Sequence, residues 1–242
     1  MHNSRSDIVI PLGSGSRYDN FELRMALRSI ARYAVNVKNI YIATAVLPDW
    51  VQNVKFIKLI DKHIHNKDAN IIDKLMAAAN LPELSEKFLF WSDDQLALYR
   101  FDAAHLPASC NLRQYRDFNK STVWHRRMRH TFEYLQQHNI FLNCNFDTHM
   151  PVTVNKKRFA EIMSNIDYAV EPGYCINTLY FGMLGMTGAV IQQQIKFTAE
   201  SQDKLFTLPT GKLFLGYNDA AMQSDLPELL QKKFPEKCRY ER

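Results

Sequence analysis

Close-spaced cysteines are missing from this sequence of 242 residues. The four cysteines stand far apart along the chain, at Cys110, Cys144, Cys175 and Cys238. This spacing excludes the common zinc motifs and a Cys-x-x-Cys redox pair. Free thiols are typical of proteins in reducing compartments, which is the simpler expectation for this chain.

Long apolar runs are also missing. The apolar run near the start covers only residues 8–12. It is too short for the core of a secretory signal, and a membrane-spanning helix needs about 20 such residues. We therefore expect a cytoplasmic protein whose contact with a membrane, at the inner face of the cytoplasmic membrane, is peripheral.

Internal repeats, low-complexity stretches and recognisable nucleic-acid-binding modules are absent as well. Hydrophobic residues make up 46% of the chain and charged residues 23%, and the formal net charge is +5. The positive charge is spread along the chain and is densest at residues 125–130. This cluster is either a solvated helix face or a patch for the phosphates of a nucleotide-sugar or an anionic lipid. No nucleic-acid partner is expected.

Short apolar segments alternate with helical patterns through the first 100 residues. The patterns predict strands at 7–12, 39–45, 55–60 and 87–91, and helices at 20–33, with Asn20 as N-cap, and at 70–79. This alternation predicts an α/β fold with a mainly parallel sheet flanked by helices. The second half is less regular. Its patterns predict helices at 120–137, at 156–165 after Asn155, and toward residue 232, with an extended segment at 140–146 and an edge strand at 212–215. Because no linker separates the halves, a single domain over residues 1–242 is expected.

The strongest candidate for chemistry is the acidic pair Asp93–Asp94, which follows the apolar segment 88–91. Ligands of parallel α/β sheets bind beyond the carboxyl ends of the strands. Mg²⁺ is commonly held by one or two carboxylates together with substrate phosphates. The pair is therefore a candidate site for Mg²⁺ or Mn²⁺ that would neutralise a diphosphate. The alternative is that one of the aspartates caps the next helix.

A second turn at a predicted strand end has the sequence Gly-Ser-Gly-Ser over residues 13–16. Gly13 and Ser14 would let a nucleotide approach the backbone closely. The turn has neither the GxGxxG nor the phosphate-loop lysine pattern, so a plain flexible turn is the alternative. The two turns would face one cleft.

Charged residues near two predicted helix starts are further candidates. Arg24 and Arg28 are four residues apart and share a helix face, where they would either bind phosphate or pair with surface acids. Glu22 suits the positive end of the helix dipole. Lys67 is a weaker phosphate candidate, since the segment 67–74 is most simply an exposed, charged helix start.

Three candidates lie in the second half. His149 precedes Pro151 in an extended segment and is a candidate general base or metal ligand, although a lone loop histidine more often has neither role. Asn218 and Asp219 would supply oxygen ligands or cap the last helix.

Five segments, in the same order along the chain, resemble the Stealth family of bacterial capsule sugar-phosphate transferases and related bacterial polysaccharide glycosyltransferases. The segments are DIVIPLGSGS (7–16), FELRMALRSIARYAVNVKNIYIATAVLPDW (21–50), LPELSEKFLFWSDDQL (81–96), FDTHMPVTVNKKRF (146–159) and GYNDAAMQSDLPELLQKKFPEKCRYE (216–241). The resemblance spans nearly the whole chain. It implies functional roles for Glu22, Arg24, Arg28, Asp93, Asp94, His149, Asn218 and Asp219, with a looser match at Asp73.

The resemblance implies a Rossmann-like, GT-A-like glycosyltransferase fold with a nucleotide-sugar-binding half at 1–100 and an acceptor-binding half at 101–242. It implies a metal-dependent transfer from a nucleotide-sugar, a UDP-sugar, to a surface polysaccharide or a lipid-linked oligosaccharide. Together with the candidates above, the expected catalytic residues are Asp94, His149 and Asp219. The expected metal ligands for Mn²⁺ or Mg²⁺ are Asp93 and Asp94. The expected donor-binding residues are Gly13, Ser14, Glu22, Arg24, Arg28, Lys67, Asp93 and Asn218.

The sequence departs from the family at its opening block. The family's Thr-Trp-Val-Asp-Gly-Ser run is replaced by Pro-Leu-Gly-Ser-Gly-Ser at residues 11–16, which lacks the acidic residue. This departure favours ordinary glycosyl transfer over sugar-phosphate transfer. A sugar-1-phosphate transferase and a non-catalytic nucleotide- or glycan-binding subunit stay as alternatives. The region 113–130, with Trp124 and its basic residues, is the expected contact for the acceptor or leaving group.

Overall fold

A computed structural model describes residues 4–14, 16–186, 189–199 and 207–242, without the side chains of 197–199. The strands are β1 (Ser6–Pro11), β2 (Ala34–Val35), β3 (Val37–Thr44), β4 (Lys55–Lys58), β5 (Lys87–Phe90), β6 (Gln95–Ala97), β7 (Phe101–Asp102), β8 (Ser109–Cys110), β9 (Val152–Asn155), β10 (Val190–Ile191), β11 (Lys196–Ala199) and β12 (Phe214–Tyr217). The α-helices are α1 (Phe21–Tyr33), α2 (Lys67–Ala79), α3 (Val123–Gln137), α4 (Lys156–Ser164), α5 (Ile176–Met183), α6 (Gln192–Ile195) and α7 (Leu226–Lys233), with short 3₁₀ turns at Tyr115–Asp117 and Ala221–Gln223. Within these ranges, no helix has the length and apolar character needed to cross a membrane.

The central sheet has the strand order β4-β3-β1-β5-β9. β1 pairs in parallel with β3 and β5, and β3 pairs in parallel with β4, whereas β9 runs antiparallel to β5. Helix α1 lies between β1 and β3 along the chain, and α2 lies between β4 and β5. This confirms the predicted α/β fold with a mainly parallel sheet flanked by helices, and the strand order is compatible with a Rossmann-like architecture.

Helices cover both faces of the central sheet. All six residues of β1 are buried. Ile8 and Ile10 belong to the core cluster that includes the apolar face of α1, whereas Val9 belongs to the cluster that includes α2. Successive side chains of a strand point to opposite faces, so the two helices lie on opposite sides. Burial of each such aliphatic side chain contributes about 1.5–3 kcal/mol to the stability of the fold. This burial holds β1 between the two helices and thereby sets the position of its carboxyl end.

A second sheet, with the order β11-β12-β6, packs on another side of α1. Met25 and Ala26 of α1 share a core cluster with Leu96 of β6 and Leu215 of β12. Strand β6 begins at Gln95, directly after the acidic pair. The turn that carries the acidic pair therefore joins the central sheet to the second sheet.

The strands and helices predicted in the first half all form, with bounds that differ by up to three residues. Asn20 precedes α1 as predicted, but it has φ 54° and its side chain makes no capping hydrogen bond. In the second half, the helices predicted at 120–137, at 156–165 and toward residue 232 are α3, α4 and α7. The predicted cap of α4 is confirmed, because the side chain of Asn155 accepts a hydrogen bond from the backbone N–H of Arg158 at 2.9 Å.

The second half differs from the sequence predictions in several places. The predicted extended segment 140–146 forms no regular strand, and within it only Asn145 forms an isolated bridge, with Asn111. The paired strand is instead β9, which was not predicted, and neither was α5. The predicted edge strand at 212–215 is β12, which lies between β11 and β6 in the centre of its sheet. A strand's place in a sheet depends on which distant segments pair with it, so local patterns do not distinguish an edge from a centre.

Candidate functional site at the carboxyl ends of two central strands

The carboxyl ends of β1 and β5 lie side by side in the middle of the central sheet. Val9 is paired with Phe90, and the backbone N–H of Trp91 donates to the carbonyl of Val9 at 3.0 Å. The chain leaves β1 through α1 on one face and enters β5 from α2 on the other face. This is a topological switch point, where open α/β sheets bind ligands. The turns at 13–14 and 93–94 therefore follow neighbouring strand ends.

The acidic pair occupies a tightly held turn. The backbone N–H of Gln95 donates to the carbonyl of Ser92 at 3.2 Å, and the Gln95 side-chain oxygen accepts from the Ser92 N–H at 3.1 Å. The indole N–H of Trp91 donates to the Gln95 carbonyl at 2.8 Å. Asp93 and Asp94 occupy the two central positions, and the next element is β6. The alternative that an aspartate caps the next helix is therefore wrong.

Asp94 contacts His149. Nε2 of His149 lies 2.8 Å from Oδ2 of Asp94, and the two side chains are 35% and 34% exposed, so solvent reaches the pair. Oδ1 of Asp94 is buried and has no hydrogen-bond partner among the described residues. Burial acts to raise the pKa of Asp94, but His149, with help from Lys196 and Lys67, outweighs burial and lowers this pKa. The charged form of Asp94 is therefore favoured.

Negative charge accumulates around the acidic turn. Burial raises the pKa of Asp93 to about 7, with further contributions from the charges of Asp94 and Glu22. Burial, assisted by the same three carboxylates, also raises the pKa of Tyr217 well above its usual value. The Tyr217 hydroxyl is buried and lacks a partner in the described part of the chain. Such a surplus of negative charge favours binding of a cation.

The backbone around His149 is held in an uncommon conformation. His149 has φ 52°, in the left-handed region, where non-glycine residues are rare and often functional. The ammonium of Lys196 donates to the carbonyl of Thr148 at 2.8 Å, and the Thr148 hydroxyl lies 2.9 Å from that of Ser109. Gly216 of β12 packs directly against this segment. Side chains from two other strands thus hold Thr148, next to His149, in place.

Other predicted site residues lie around the same turn. Glu22, in the first turn of α1, accepts a hydrogen bond from Ser16 at 3.2 Å and lies close enough to raise the pKa of Asp93. Lys67, the exposed first residue of α2, is close enough to act on the pKa of Asp93 and of Asp94. The structure therefore brings Glu22, Lys67, Asp93, Asp94 and His149 together.

Asn218 and Asp219 follow β12 beside the acidic turn. The backbone N–H of Tyr217 donates to the carbonyl of Asp94 at 3.2 Å, which places Asn218 next to the turn. The Asn218 side chain accepts from the N–H of Ala221, the first residue of the following 3₁₀ turn, at 3.1 Å. Asp219 is exposed, and its side chain makes no hydrogen bond or ion pair with the described residues.

Arg24 and Arg28 are not directed to the acidic turn. Arg28 Nε lies 2.7 Å and Arg24 Nη1 2.8 Å from the buried carboxylate of Glu241. Arg28 also donates to the carbonyl of Phe234 at 2.7 Å, and the Arg24 guanidinium lies 4.0 Å from the ring centre of Trp50. These contacts fasten the segment 234–241 to α1. They give no support to the expected donor-binding role.

Gly13 and Ser14 are exposed at the end of β1. A Cβ at Gly13 would meet nothing within 4 Å, so the space above this turn is open. Lys74 anchors the residue before the turn, because its ammonium donates to the carbonyl of Leu12 at 2.8 Å. Gly15, which belongs to the same sequence motif, lies outside the described residues.

The segment 67–74 was expected to be an exposed, charged helix start, and this expectation is wrong for Lys74. Lys74 is 2% exposed and also lies 2.5 Å from Asp61. Asp73 accepts a hydrogen bond from the hydroxyl of Tyr168 at 2.7 Å. The sequence contained a hint, because Lys74 is adjacent to Leu75 on the apolar side of a helical pattern.

The basic cluster at 125–130 is, as a whole, neither a solvated helix face nor an exposed patch for phosphates. His125 and Arg127 are buried, and Arg127 pairs with Asp68 at 2.7 Å. Burial raises the pKa of Asp68 to about 6 despite this pairing. The indole N–H of Trp124 donates to Asp147 at 2.7 Å. The cluster therefore mainly holds α3 against α2 and the segment that carries His149.

The acidic turn suits a hard divalent cation bound together with a ligand. Among the described residues, no three His, Cys, Asp or Glu side chains form a metal site by themselves. Asp93 and Asp94 nevertheless offer adjacent carboxylates, and Asp94 has an oxygen without a partner. Mg²⁺ commonly uses one or two carboxylates and completes its shell with water and substrate phosphates. The donor set therefore fits Mg²⁺ or Mn²⁺ that arrives with a diphosphate.

A cavity of about 820 Å³ lies elsewhere, between the second half of α1 and the segment 232–239. Its lining is largely basic and includes none of the residues around the acidic turn.

A scan of the sequence against models of known protein families finds no match, and a search of curated proteins finds no significant match. The function is therefore inferred from the chemistry of the acidic turn and its neighbours.

Proposed function

We propose that this protein is a metal-dependent glycosyltransferase that moves a sugar from a uridine diphosphate sugar to a hydroxyl group of a surface polysaccharide or lipid-linked oligosaccharide. The observation that carries the proposal is the position of Asp94 at the switch point of the sheet. One of its oxygens contacts His149 and the other is buried without a partner. The resemblance of five segments to bacterial polysaccharide transferases supports the substrate class.

The donor diphosphate would lie across the ends of β1 and β5. Asp93 and Asp94 would hold Mn²⁺ or Mg²⁺, and Asp94 can do so through Oδ1 while Oδ2 stays with His149. A bound divalent ion supplies positive charge that stabilises the diphosphate leaving group. Lys67 adds a second positive charge at the same edge. The open space above Gly13 leaves room for the nucleotide next to the backbone.

His149 would act as the general base. In the transfer, the acceptor oxygen forms a bond to the anomeric carbon, and the bond from that carbon to the diphosphate oxygen breaks. The electron pair of the broken bond leaves with the nucleoside diphosphate. When Nε2–H of His149 donates to Asp94, the lone pair of Nδ1 is available for the hydroxyl proton. Asp94 then holds the tautomer and stabilises the imidazolium that forms.

The released nucleotide tests the proposal. The purified protein would be given a panel of nucleotide-sugars and glycan acceptors, with and without Mn²⁺ or Mg²⁺. Metal-dependent release of UDP is the expected result. Release of UMP would instead identify a sugar-1-phosphate transferase. Donor binding without release, with every acceptor of the panel, would favour a non-catalytic binding subunit.

Asp94→Asn tests the assigned residue. We expect UDP release to fall by roughly a hundredfold or more, because the variant loses a metal ligand and the orienting partner of His149. Calorimetric titration of Mn²⁺ in the presence of UDP should show weaker binding. Asp102→Asn is the matched control, because Asp102 makes a similar 2.9 Å contact with His105 on the surface. Equal rates and equal Mn²⁺ affinity in wild type and Asp94→Asn would overturn the assignment.

We also propose a cytoplasmic location. All four cysteines are free thiols. Free thiols persist in reducing compartments, whereas oxidising compartments favour disulfides.

A further inference from the structure

Large aliphatic side chains are exposed beyond the carboxyl ends of β3 and β4. Val46, Ile60 and Ile64 expose 77%, 66% and 90% of their surface. The backbone N–H of Leu59 donates to the carbonyl of Thr44 at 3.0 Å, so the pairing of the two strands continues to this point. Val46 and Ile60 therefore lie on neighbouring segments. Exposed apolar residues that cluster in this way mark interaction sites, whereas scattered ones do not.

Ile64 stands at the tip of a fixed loop. The side-chain oxygen of Asn70 accepts hydrogen bonds from the backbone N–H groups of Lys62 and His63, both at 2.9 Å. The amide of Asn70 donates to the carbonyl of His63 at 2.8 Å. One side chain of α2 thus ties down both sides of the loop. The exposure of Ile64 is therefore a consequence of a defined loop conformation.

Exposed lysines alternate with Ile60 and Ile64 along the segment 58–67. They are Lys58, Lys62 and Lys67. Among the described residues, no carboxylate lies within 4.0 Å of their ammonium groups. The acidic residue of the same segment, Asp61, is already paired with Lys74. We name Val46, Ile60, Ile64 and these three lysines the aliphatic–lysine patch. Lys58 and Lys62 carry positive charge that no described carboxylate pairs within 4.0 Å, so the patch complements an anionic surface.

The patch borders the candidate active site. Strands β3 and β4 are parallel to β1 and β5, so the patch and the acidic turn lie at the same edge of the central sheet. Lys67 belongs to the patch and is also close enough to Asp93 and Asp94 to act on their ionisation. A partner that covers the patch would therefore lie on the side of the molecule that carries the acidic turn.

We propose that the aliphatic–lysine patch docks this protein on an anionic lipid bilayer. Val46, Ile60 and Ile64 would enter the headgroup region, and the lysines would contact lipid phosphates. Aliphatic side chains rimmed by lysines are the combination that binds such interfaces. The docking would bring the acidic turn close to the membrane, which suits an acceptor carried on a lipid. Only this last point rests on the proposed function.

Vesicle sedimentation of the full chain tests the docking. The vesicles are made of phosphatidylcholine alone or of phosphatidylcholine with phosphatidylglycerol. We expect binding to the anionic vesicles and little binding to the neutral ones. Lys58→Gln with Lys62→Gln should weaken binding roughly thirtyfold, since each lysine near an anionic surface contributes roughly fivefold. Ile60→Ser with Ile64→Ser should weaken it roughly tenfold.

Matched controls come from exposed residues elsewhere on the surface. Phe141→Ser removes a side chain that is 75% exposed, and Lys157→Gln removes a lysine whose side chain is 79% exposed. Both should bind vesicles like the wild type. Circular dichroism of each variant checks the fold.

Several outcomes would overturn the docking. They are no binding to anionic vesicles, equal losses in the control variants, or binding that depends on the lysines but not on the isoleucines. The last outcome, together with tight binding of heparin, would indicate a site for a soluble polyanion. The test needs neither a nucleotide-sugar nor a metal. An active enzyme that ignores vesicles would refute only the docking, and a vesicle-binding protein that releases no nucleotide would refute only the proposed function.

Discussion

Replacing Gly216 with alanine should disable the candidate site while leaving all its polar groups in place. A Cβ at Gly216 would lie 2.8 Å from the backbone oxygen of His149, and 2.5 Å and 2.6 Å from Nζ and Cε of Lys196. Contacts under 3.0 Å are essentially never seen for a real Cβ, so these atoms must move. Lys196 has a flexible side chain, but the oxygen belongs to the backbone of His149, which has φ 52°. The imidazole ring would move with it.

The expected loss follows from the length of one contact. His149 and Asp94 are 2.8 Å apart, so a shift of more than about 0.4 Å stretches the pair beyond the usual range of N–H···O hydrogen bonds. A misplacement of about 1 Å can cost about a hundredfold in rate, so we expect a loss of roughly ten- to a hundredfold. The overpacking should cost about 1–3 kcal/mol of stability. For a chain of this size, that lowers the melting temperature by roughly 2–12 °C.

Metal-dependent UDP release and thermal unfolding would be measured on the same samples. Gly182→Ala is the matched control, since a Cβ there would lie 2.7 Å from the side chain of Leu135, where α5 packs on α3. It should lower the melting temperature and leave the rate near that of the wild type. Wild-type activity in Gly216→Ala, or the same loss of activity in both variants, would refute the idea that the position of His149 sets the rate.

Three further substitutions test separate parts of the structure. Glu241→Gln should cost about 3 kcal/mol at pH 7, because Arg28 beside the buried Glu241 helps lower its pKa from 4.5 to about 2. A lowered pKa stabilises the fold above pH 4.5 and loses this effect as the pH falls toward 2, so denaturant unfolding should show the difference from wild type shrinking with falling pH. His149→Asn should keep the fold, since asparagine tolerates positive φ, and reduce UDP release by roughly 10²–10⁴-fold; a near-normal rate would exclude His149 as the base. Arg24→Gln should lower stability by about 1 kcal/mol without changing the donor KM; a large rise in KM would restore Arg24 to the donor site.

The acidic turn could be predicted because all of its determinants are local. An apolar strand followed by Ser92 and two aspartates indicates a strand end with carboxylates, and the side chain of Gln95 closes the turn only three residues from Ser92. The helix-capping alternative could not be excluded from the sequence, because the nature of the next element depends on the pairing of β6 with β12.

The roles of the arginines could not be predicted for a related reason. Two arginines on one helix face suit a phosphate, and they suit a carboxylate equally well. Arg24 and Arg28 turn to Glu241 because the segment 234–241 returns to α1. The partner lies more than 200 residues away along the chain, so no local pattern identifies it.

Periodicity, turn residues and cap residues act over a few positions, and they determined the strands and helices of the first half, the parallel α/β class, the acidic pair at a strand end and the cap at Asn155. Tertiary structure alone decided the contact of His149 with Asp94, the burial of Lys74 and the close approach of Gly216 to the His149 backbone. It also decided that Val46, Ile60 and Ile64 lie at the same sheet edge as the acidic turn. These features depend on which distant segments pack together, and packing follows from the burial of the whole core, which short-range patterns do not encode.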